Sequence, residues 1–349
     1  MALSKVCSVA LGIHDDHSVV VTGCWDGSVR VIDLIDSPGE STFIPAAPLP
    51  AGAVAVADLR GRPVVVSGYA DGTLRLTDLA EGTLIRQWPM FDSGSSTWVS
   101  SVVTVELDDR ALVAAIHHDC AQVWDLADGA LVGKWRGDRA SLVAGHVAAE
   151  RRRRGLPIGA LSQPERPGAE MTKVTVTGLD GRPVVVSGHQ DGTVYVWDLA
   201  SGQSVWGRET DIGQRGLGAY VDALAVNQLR GRQVIVVGGS PGVIGAWDLA
   251  DGTLVVEPFV SHEPDAVRGV AIAELEGRTV MAAAGERGTV RVWDVGTHEQ
   301  LDTSTVAQGS PDAPFAVGRL EGRLTIVCGV NEGGIKVWHP ASHPPRKTG

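Results

Sequence analysis

Asp191-Gly192-Thr193-Val194-Tyr195-Val196-Trp197-Asp198-Leu199 decides the fold, because the chain repeats this phrase, with decay, along its whole length. Upstream echoes are Asp26-Gly27-Ser28-Val29-Arg30-Val31-Ile32-Asp33-Leu34, Asp71-Gly72-Thr73-Leu74-Arg75-Leu76-Thr77-Asp78-Leu79 and Val123-Trp124-Asp125-Leu126. Downstream come Trp247-Asp248-Leu249, Thr289-Val290-Arg291-Val292-Trp293-Asp294-Val295 and Ile335-Lys336-Val337-Trp338. The closing aspartates stand at 33, 78, 125, 198, 248 and 294, with Trp338-His339 ending a seventh unit. A period of roughly 40 to 45 residues marks an array of small sheet units. Only the step from Asp125 to Asp198 is long. Its surplus carries no strand pattern, so it reads as an insertion, Gly133 to Met171, within one continuous domain of residues 1–349.

The fourth unit shows how each is built. Lys173 to Leu179 alternates apolar and polar residues, as a strand does. Asp180-Gly181 is a hairpin signal, because both central positions of a type I′ turn need positive φ. Pro183-Val184-Val185-Val186-Ser187 is a second strand and Thr193 to Trp197 a third, and Ala200-Ser201-Gly202 turns the chain into a fourth around Gln203 to Trp206. The second strands are continuous apolar runs, as at Val64-Val65-Val66 and Val234-Ile235-Val236-Val237. A sheet with one wet face alternates, so these runs predict strands buried on both faces. Units standing face to face around a ring meet that condition. The expectation is an all-β ring of seven four-stranded antiparallel units, with one helical or loop insertion between the third and fourth.

These residues resemble the WD-repeat (Trp-Asp) β-propeller family. Trp124, Trp197, Trp247, Trp293 and Trp338 occupy its third-strand position, and the Gly-Arg-x-Val-x-Val-Ser-Gly-x-x-Asp-Gly-Thr phrasing is similar to that of high-GC bacterial members. The resemblance implies a rigid platform for partner proteins or peptides, generally without catalysis. The family's repeats tie an Asp before the b–c turn, a Ser or Thr on strand b and the Trp of strand c to a His preceding strand a. The fourth unit keeps Asp191, Ser187 and Trp197 without that His, and Trp197 is expected to be buried with its indole nitrogen satisfied by Ser187 or a nearby backbone group. Units one and two put Ile32 and Thr77 at the Trp position, units five and six put Pro241 and Arg287 at the Asp position, and His262 alone sits near the His position.

On the family's frame the upper rim comprises the d–a and b–c loops. Trp25, Tyr69, His117, His118, His189 and Arg287 fall there, and Trp98 and Tyr220 precede strand a of their units. In a chain with only 5% aromatic residues, several at one rim nominate a partner-binding face, since aromatics dominate interface hot spots. His117, His118 and His189 raise a metal site, but no Cys or carboxylate lies at ligand spacing, so none is expected. Within the insertion, Asp138 caps a predicted helix ending in Arg151-Arg152-Arg153-Arg154, a basic spot for docking an acidic partner. The arginines of the Leu-x-Gly-Arg turns are expected to pair with Glu81, Asp128 and Asp251 on the lower face.

The chain carries a formal net charge of −11, which disfavours nucleic acid and anionic membrane surfaces as partners. Four scattered cysteines form no C-x-x-C pair, no signal peptide opens the sequence, and no apolar run approaches a membrane span, so a cytoplasmic protein is expected. There is no Gly-x-Ser-x-Gly, P-loop or His-Glu-x-x-His, and no cofactor is expected. The sequence therefore reads as a non-catalytic interaction scaffold. The rivals are a ligand-sensing regulatory domain of a larger signalling assembly and an enzyme using the central funnel. Met1 to Lys5 is too short to supply an outer strand, and the prolines after Trp338 remove donors that a strand needs. The seventh unit is expected to have three firm strands and at best a frayed fourth, leaving an open edge as a template for a partner strand or a dimer.

Overall fold

The computed structural model describes residues 4–14, 17–34, 41–44, 47–90, 98–107, 109–117, 120–136, 171–210, 220–240, 242–262, 265–305, 314–320, 322–330 and 334–341. Twenty-seven strands form seven antiparallel sheets, and each regular element among these residues is a strand. Blade 1 holds β1 (Val6–His14), β2 (His17–Cys24), β3 (Val29–Asp33) and β4 (Ser41–Ile44). Blade 2 holds β5 (Ala51–Asp58), β6 (Pro63–Tyr69), β7 (Thr73–Asp78) and β8 (Leu84–Pro89). Blade 3 holds β9 (Ser101–Leu107), β10 (Arg110–His117), β11 (Cys120–Asp125) and β12 (Leu131–Arg136). Blade 4 holds β13 (Met171–Leu179), β14 (Arg182–His189), β15 (Thr193–Asp198) and β16 (Ser204–Glu209). Blade 5 holds β17 (Val221–Leu229), β18 (Arg232–Gly239), β19 (Val243–Asp248) and β20 (Leu254–Val260). Blade 6 holds β21 (Val267–Leu275), β22 (Arg278–Gly285), β23 (Thr289–Asp294) and β24 (Gln300–Thr305). Blade 7 holds three strands, β25 (Phe315–Leu320), β26 (Arg323–Gly329) and β27 (Ile335–Trp338).

The four strands of a blade are called a to d in chain order. Each blade's strand a touches strand a of both neighbours, from β1 round to β25 and back, so these strands line a closed central channel. Strand b explains why the ring holds. In β6, Val64 and Val66 pack toward blade 3 while Val65 packs toward blade 1, and all three are fully buried. In β14, Val184 and Val186 join the core shared with blade 5, and Val185 the core shared with blade 3. Side chains alternate across a strand, so an unbroken apolar run serves two different cores. Seven hydrophobic clusters result, one in each gap between adjacent blades.

The a–b turns are the expected type I′ hairpins. Arg60 and Gly61 have φ of 57° and 80°, and the same pair of positive values recurs at Asp180-Gly181, Arg230-Gly231 and Glu276-Gly277. At the b–c turns, Gly27 has φ of 80°, and a Cβ there would sit 2.0 Å from the Ala47 carbonyl oxygen. Only glycine fits such a site.

The arginine beginning strand b finds a different partner from the one expected. Arg62 bonds Asp78 and Arg110 bonds Asp125 at 2.8 Å, while Arg232 and Arg278 stand 3.9 and 3.7 Å from Asp248 and Asp294. These acids are the repeat's closing aspartates themselves. Of the predicted acids, Glu81 stands 4.0 Å from Arg62. The reason is geometric: strands b and c pair so that Val64 lies opposite Asp78, which brings the closing Asp beside the a–b turn. Its other oxygen accepts the amide of the following turn, from Glu81 at 2.7 Å in blade 2 and Ala127 at 2.8 Å in blade 3. The Glu81 amide, opposed by burial and helped by Arg62, holds the Asp78 carboxyl below its usual range.

Two boundaries move. β12 runs to Arg136, so Gly133 to Arg136 complete blade 3, and Met171 already opens blade 4. The rest of the predicted insertion, with its helix, lies outside the described residues. Ring closure is by packing: Val6, Val9, Val20 and Cys24 of blade 1 form one core with Val327 of blade 7. Ser4 and Lys5 do not pair with β27. The Ser4 hydroxyl accepts the Asp26 amide and the Lys5 carbonyl accepts the Trp25 amide, at 3.0 and 2.9 Å. If strand b carries the ring, Ile235→Ala, at a fully buried position between blades 4 and 5, lowers stability by about 2 to 5 kcal/mol. Equilibrium urea unfolding followed by tryptophan fluorescence measures this, and an unchanged midpoint would contradict the packing described.

Candidate functional site at the upper mouth of the channel

Val6, at the start of β1, pairs with Cys24, at the end of β2, so strand a begins at the same end of the ring as the b–c turn. At this end, five blades share a local irregularity. The pairing of strand a with strand b slips between Val6 and Ser8, Ala51 and Ala53, Met171 and Lys173, Val221 and Ala223, and Val267 and Gly269. Each slip leaves one bulged residue: Cys7, Gly52, Thr172, Asp222 and Arg268. All five line one cavity of about 580 Å³, to which Ser101 of blade 3 and Phe315 of blade 7 add the remaining two blades. A β-bulge re-aims a side chain. Here bulges turn residues into the channel mouth that regular alternation would place elsewhere.

The cavity wall is polar and mutually held. Arg268 donates to Asp222 at 2.8 Å and lies 3.4 Å from Glu286. The Thr172 hydroxyl donates to the Gly188 carbonyl at 3.0 Å and also reaches the Val221 carbonyl of the next blade. Burial, with Cys24 adding to it, pushes the Cys7 thiol up to about 11, so it carries no reactive thiolate at neutral pH.

Above the cavity stands an aromatic pair. Trp98, just before β9, lies against the backbone of Gly52, where a Cβ would come 2.3 Å from the indole nitrogen. Trp25, in the b–c turn of blade 1, packs on it with ring centroids 5.6 Å apart and planes at 40°. Trp25 is 56% exposed and Trp98 37%. Tyr220, which precedes β17, is exposed at the same end, as is Arg287, held 3.0 Å from Asp265.

Three predicted rim residues are not there. Tyr69, His117 and His189 are 1%, 6% and 2% exposed, inside their blades. They share one position, the last residue of strand b, whose side chain turns back into the sheet. The Ser187 hydroxyl lies 3.0 Å from His189 Nε2 and accepts the Trp197 indole N–H at 3.0 Å, as expected for Trp197. His189 thus supplies, from strand b, the histidine that the fourth unit lacked before strand a. In blade 2 the Ser67 hydroxyl donates to the Tyr69 hydroxyl at 3.3 Å, and the Arg75 guanidinium sits 4.8 Å from the Tyr69 ring centre. Where strand b offers Ala115 or Ala283 in place of that serine, the Trp124 and Trp293 indole nitrogens find no acceptor. Blade 6 fills the slot from outside. Gly285 ends strand b, and a Cβ on it would lie 2.5 Å from His262 Cδ2, so the ring of His262 takes the vacated space. His118 and Arg151 to Arg154 lie outside the described residues.

Among the described residues, no group of three or more His, Cys, Asp or Glu side chains could hold a metal ion, and no helix is long and apolar enough to cross a membrane. The class defined by this geometry is a seven-bladed β-propeller with a polar upper mouth and an exposed aromatic pair beside it. A family model described as WD domain, G-beta repeat, matches residues 3–33 and 172–198, which end on the closing aspartates of blades 1 and 4. The match covers two of the seven blades, and together with the sevenfold ring it supports a WD-repeat β-propeller. No curated protein matches it.

Two outcomes test these blade networks. Ser187→Ala strands both the Trp197 N–H and His189, and should cost about 1 to 3 kcal/mol in urea unfolding; an effect below about 0.5 kcal/mol would remove the network from the stability of blade 4. His262 gives a pH test. Burial, and secondarily the charge of Arg291, pushes its imidazole down to about 4. The folded chain then holds fewer protons than the unfolded chain between pH 6.5 and about 4, so stability falls as pH falls through that window. Between pH 7 and pH 5 the loss should be about 2 kcal/mol, and His262→Gln should flatten that slope.

Proposed function

We propose that this propeller is a non-catalytic scaffold that holds a protein or peptide partner on its upper face, anchored on the Trp25–Trp98 pair. Propellers of this family generally act as protein-interaction scaffolds. The observation that carries the reading is the pairing of two exposed indoles at the lip of a polar cavity. Large rigid aromatics bury much area at little entropic cost, and a partner that covers both also seals the mouth. Serine, threonine and paired-charge groups within the cavity suit one inserted polar side chain. Tyr220 and Arg287 extend the surface, and Arg151 to Arg154 offer a second docking element. An acidic body suits neither nucleic acid nor an anionic membrane, and four free cysteines fit a reducing cytoplasm.

A ligand-sensing role is the second reading, favoured by the cavity volume of about 580 Å³, which is ordinary for a small-molecule pocket.

The test uses a Trp25→Ala, Trp98→Ala double variant, with Arg60→Ala at the opposite end of the ring as control. Partners captured by the parent from its native cell are quantified by mass spectrometry, after circular dichroism shows that all three proteins melt alike. The double variant should lose a captured partner at least about tenfold, since paired hot-spot aromatics contribute on that scale, while the control keeps it. Equal capture by all three would take the upper face out of the account.

A further inference from the structure

A second surface, independent of the upper face, is the outer edge of blade 7. In every other blade strand d covers strand c. The residue before the Trp position of strand c measures that cover. Leu76, Val123, Val196, Ala246 and Val292 are 0% exposed and Val31 is 8%. Their counterpart in β27, Val337, is 39% exposed. Two residues earlier, Val29, Leu74, Ile244 and Val290 are fully buried, whereas Ile335 is only half-buried. Strand β27 therefore shows apolar side chains shaped for a neighbour that the described residues do not provide.

The described residues that follow β27 are engaged elsewhere. After Trp338, His339 Nδ1 lies 3.1 Å from Thr325 Oγ1, and the Ala341 amide donates to the Asp302 carboxylate of blade 6 at 2.6 Å. Neither residue pairs with the outer edge of β27. Ser4 and Lys5 are held by the turn of blade 1.

The fold itself shows what fits such an edge. In blade 5, Val256 of strand d lies opposite Ala246 and Phe259 opposite Ile244, with Glu257 and Pro258 between them. In blade 4, Trp206 lies opposite Val196. On β27 the corresponding residues are Val337 and Ile335, and the residue between them is Lys336, exposed and cationic. We propose that the outer edge of β27 binds an extended segment of a partner protein, apolar at alternate positions and acidic where it faces Lys336. Backbone hydrogen bonds to a free strand edge supply affinity, and alternate side chains supply selectivity. A second copy fits less well. On a two-fold axis, the registers that match the apolar faces set Lys336 against Lys336 or Ile335 against His339. Like charges directly opposite destabilise a pair, and each copy carries −11.

A labelled peptide copying Leu254 to Val260 is the probe, because in blade 5 its Glu257 falls where β27 has Lys336. Fluorescence anisotropy is measured on the full chain, on its Lys336→Glu variant and on the Trp25→Ala, Trp98→Ala variant. A second peptide carries Glu257→Lys. The parent should bind the first peptide saturably, one to one, and about fivefold tighter than the second. Lys336→Glu, a change at an exposed position, should reverse that order, and the double tryptophan variant should bind like the parent. No saturable binding by either peptide, or equal affinity for both, overturns the proposal. A parent that sediments as a dimer at concentrations where neither peptide binds assigns the edge to a second copy instead.

Discussion

Burial of strand b on both faces is the constraint on which the rest depends. Val64, Val65 and Val66 have no solvent side, and neither do Val234, Ile235, Val236 and Val237. Fully burying a valine or isoleucine is worth about 1.5 to 3 kcal/mol, but here that gain exists only if a blade stands on each side. No blade owns a core, because every core lies between two blades. The ring must therefore close. It does so through Val6, Val9, Val20 and Val327, from strands a and b of blades 1 and 7. Because closure uses the inner strands, the three described strands of blade 7 suffice to close the ring.

Polar groups then fix each blade's internal register. The closing aspartate ties the a–b turn to the c–d turn by accepting an arginine with one oxygen and a backbone amide with the other, as Asp125 does with Arg110 and Ala127. Burial opposes the Asp125 charge, yet these partners outweigh it and hold the carboxyl below its usual range. At the upper end the repeats diverge. One slot at the end of strand b is filled by Tyr69 in blade 2, by His189 in blade 4 and by His262, from a neighbouring loop, in blade 6. The slot persists although its occupant changes in residue type and in chain position, so the repeat can decay without loss of the fold.

The surface features of the ring lie where regular strand alternation stops. Bulges at the start of strand a put Cys7, Thr172, Asp222 and Arg268 into the channel mouth. A b–c turn and a d–a connection place Trp25 and Trp98 together, 73 residues apart in sequence. Among the described residues no strand covers β27, and Val337 is exposed. The bulges recur in five blades, whereas the tryptophan pair and the exposed Val337 are each found once among the described residues.

The sequence by itself determined the number of blades, the strand order within each, the type I′ turns and the burial of Trp197. These follow from period, alternation and local φ requirements, which a linear chain displays. Among the described residues the seventh blade has three strands, in keeping with the prolines after Trp338. The site was only half legible. Trp25, Trp98 and Tyr220 stand at the rim as expected, but Tyr69, His117 and His189, one residue from a turn, fold back into their sheets. A one-residue difference at a strand end turns a side chain from one face to the other, and loop propensity does not resolve it. The arginine partners, the filling of Gly285 by His262 and the polar lining of the mouth were decided only by tertiary structure. They depend on bulges and on contacts between neighbouring blades, where pairing slips by one residue and the alternation that makes strands readable no longer says which way a side chain points.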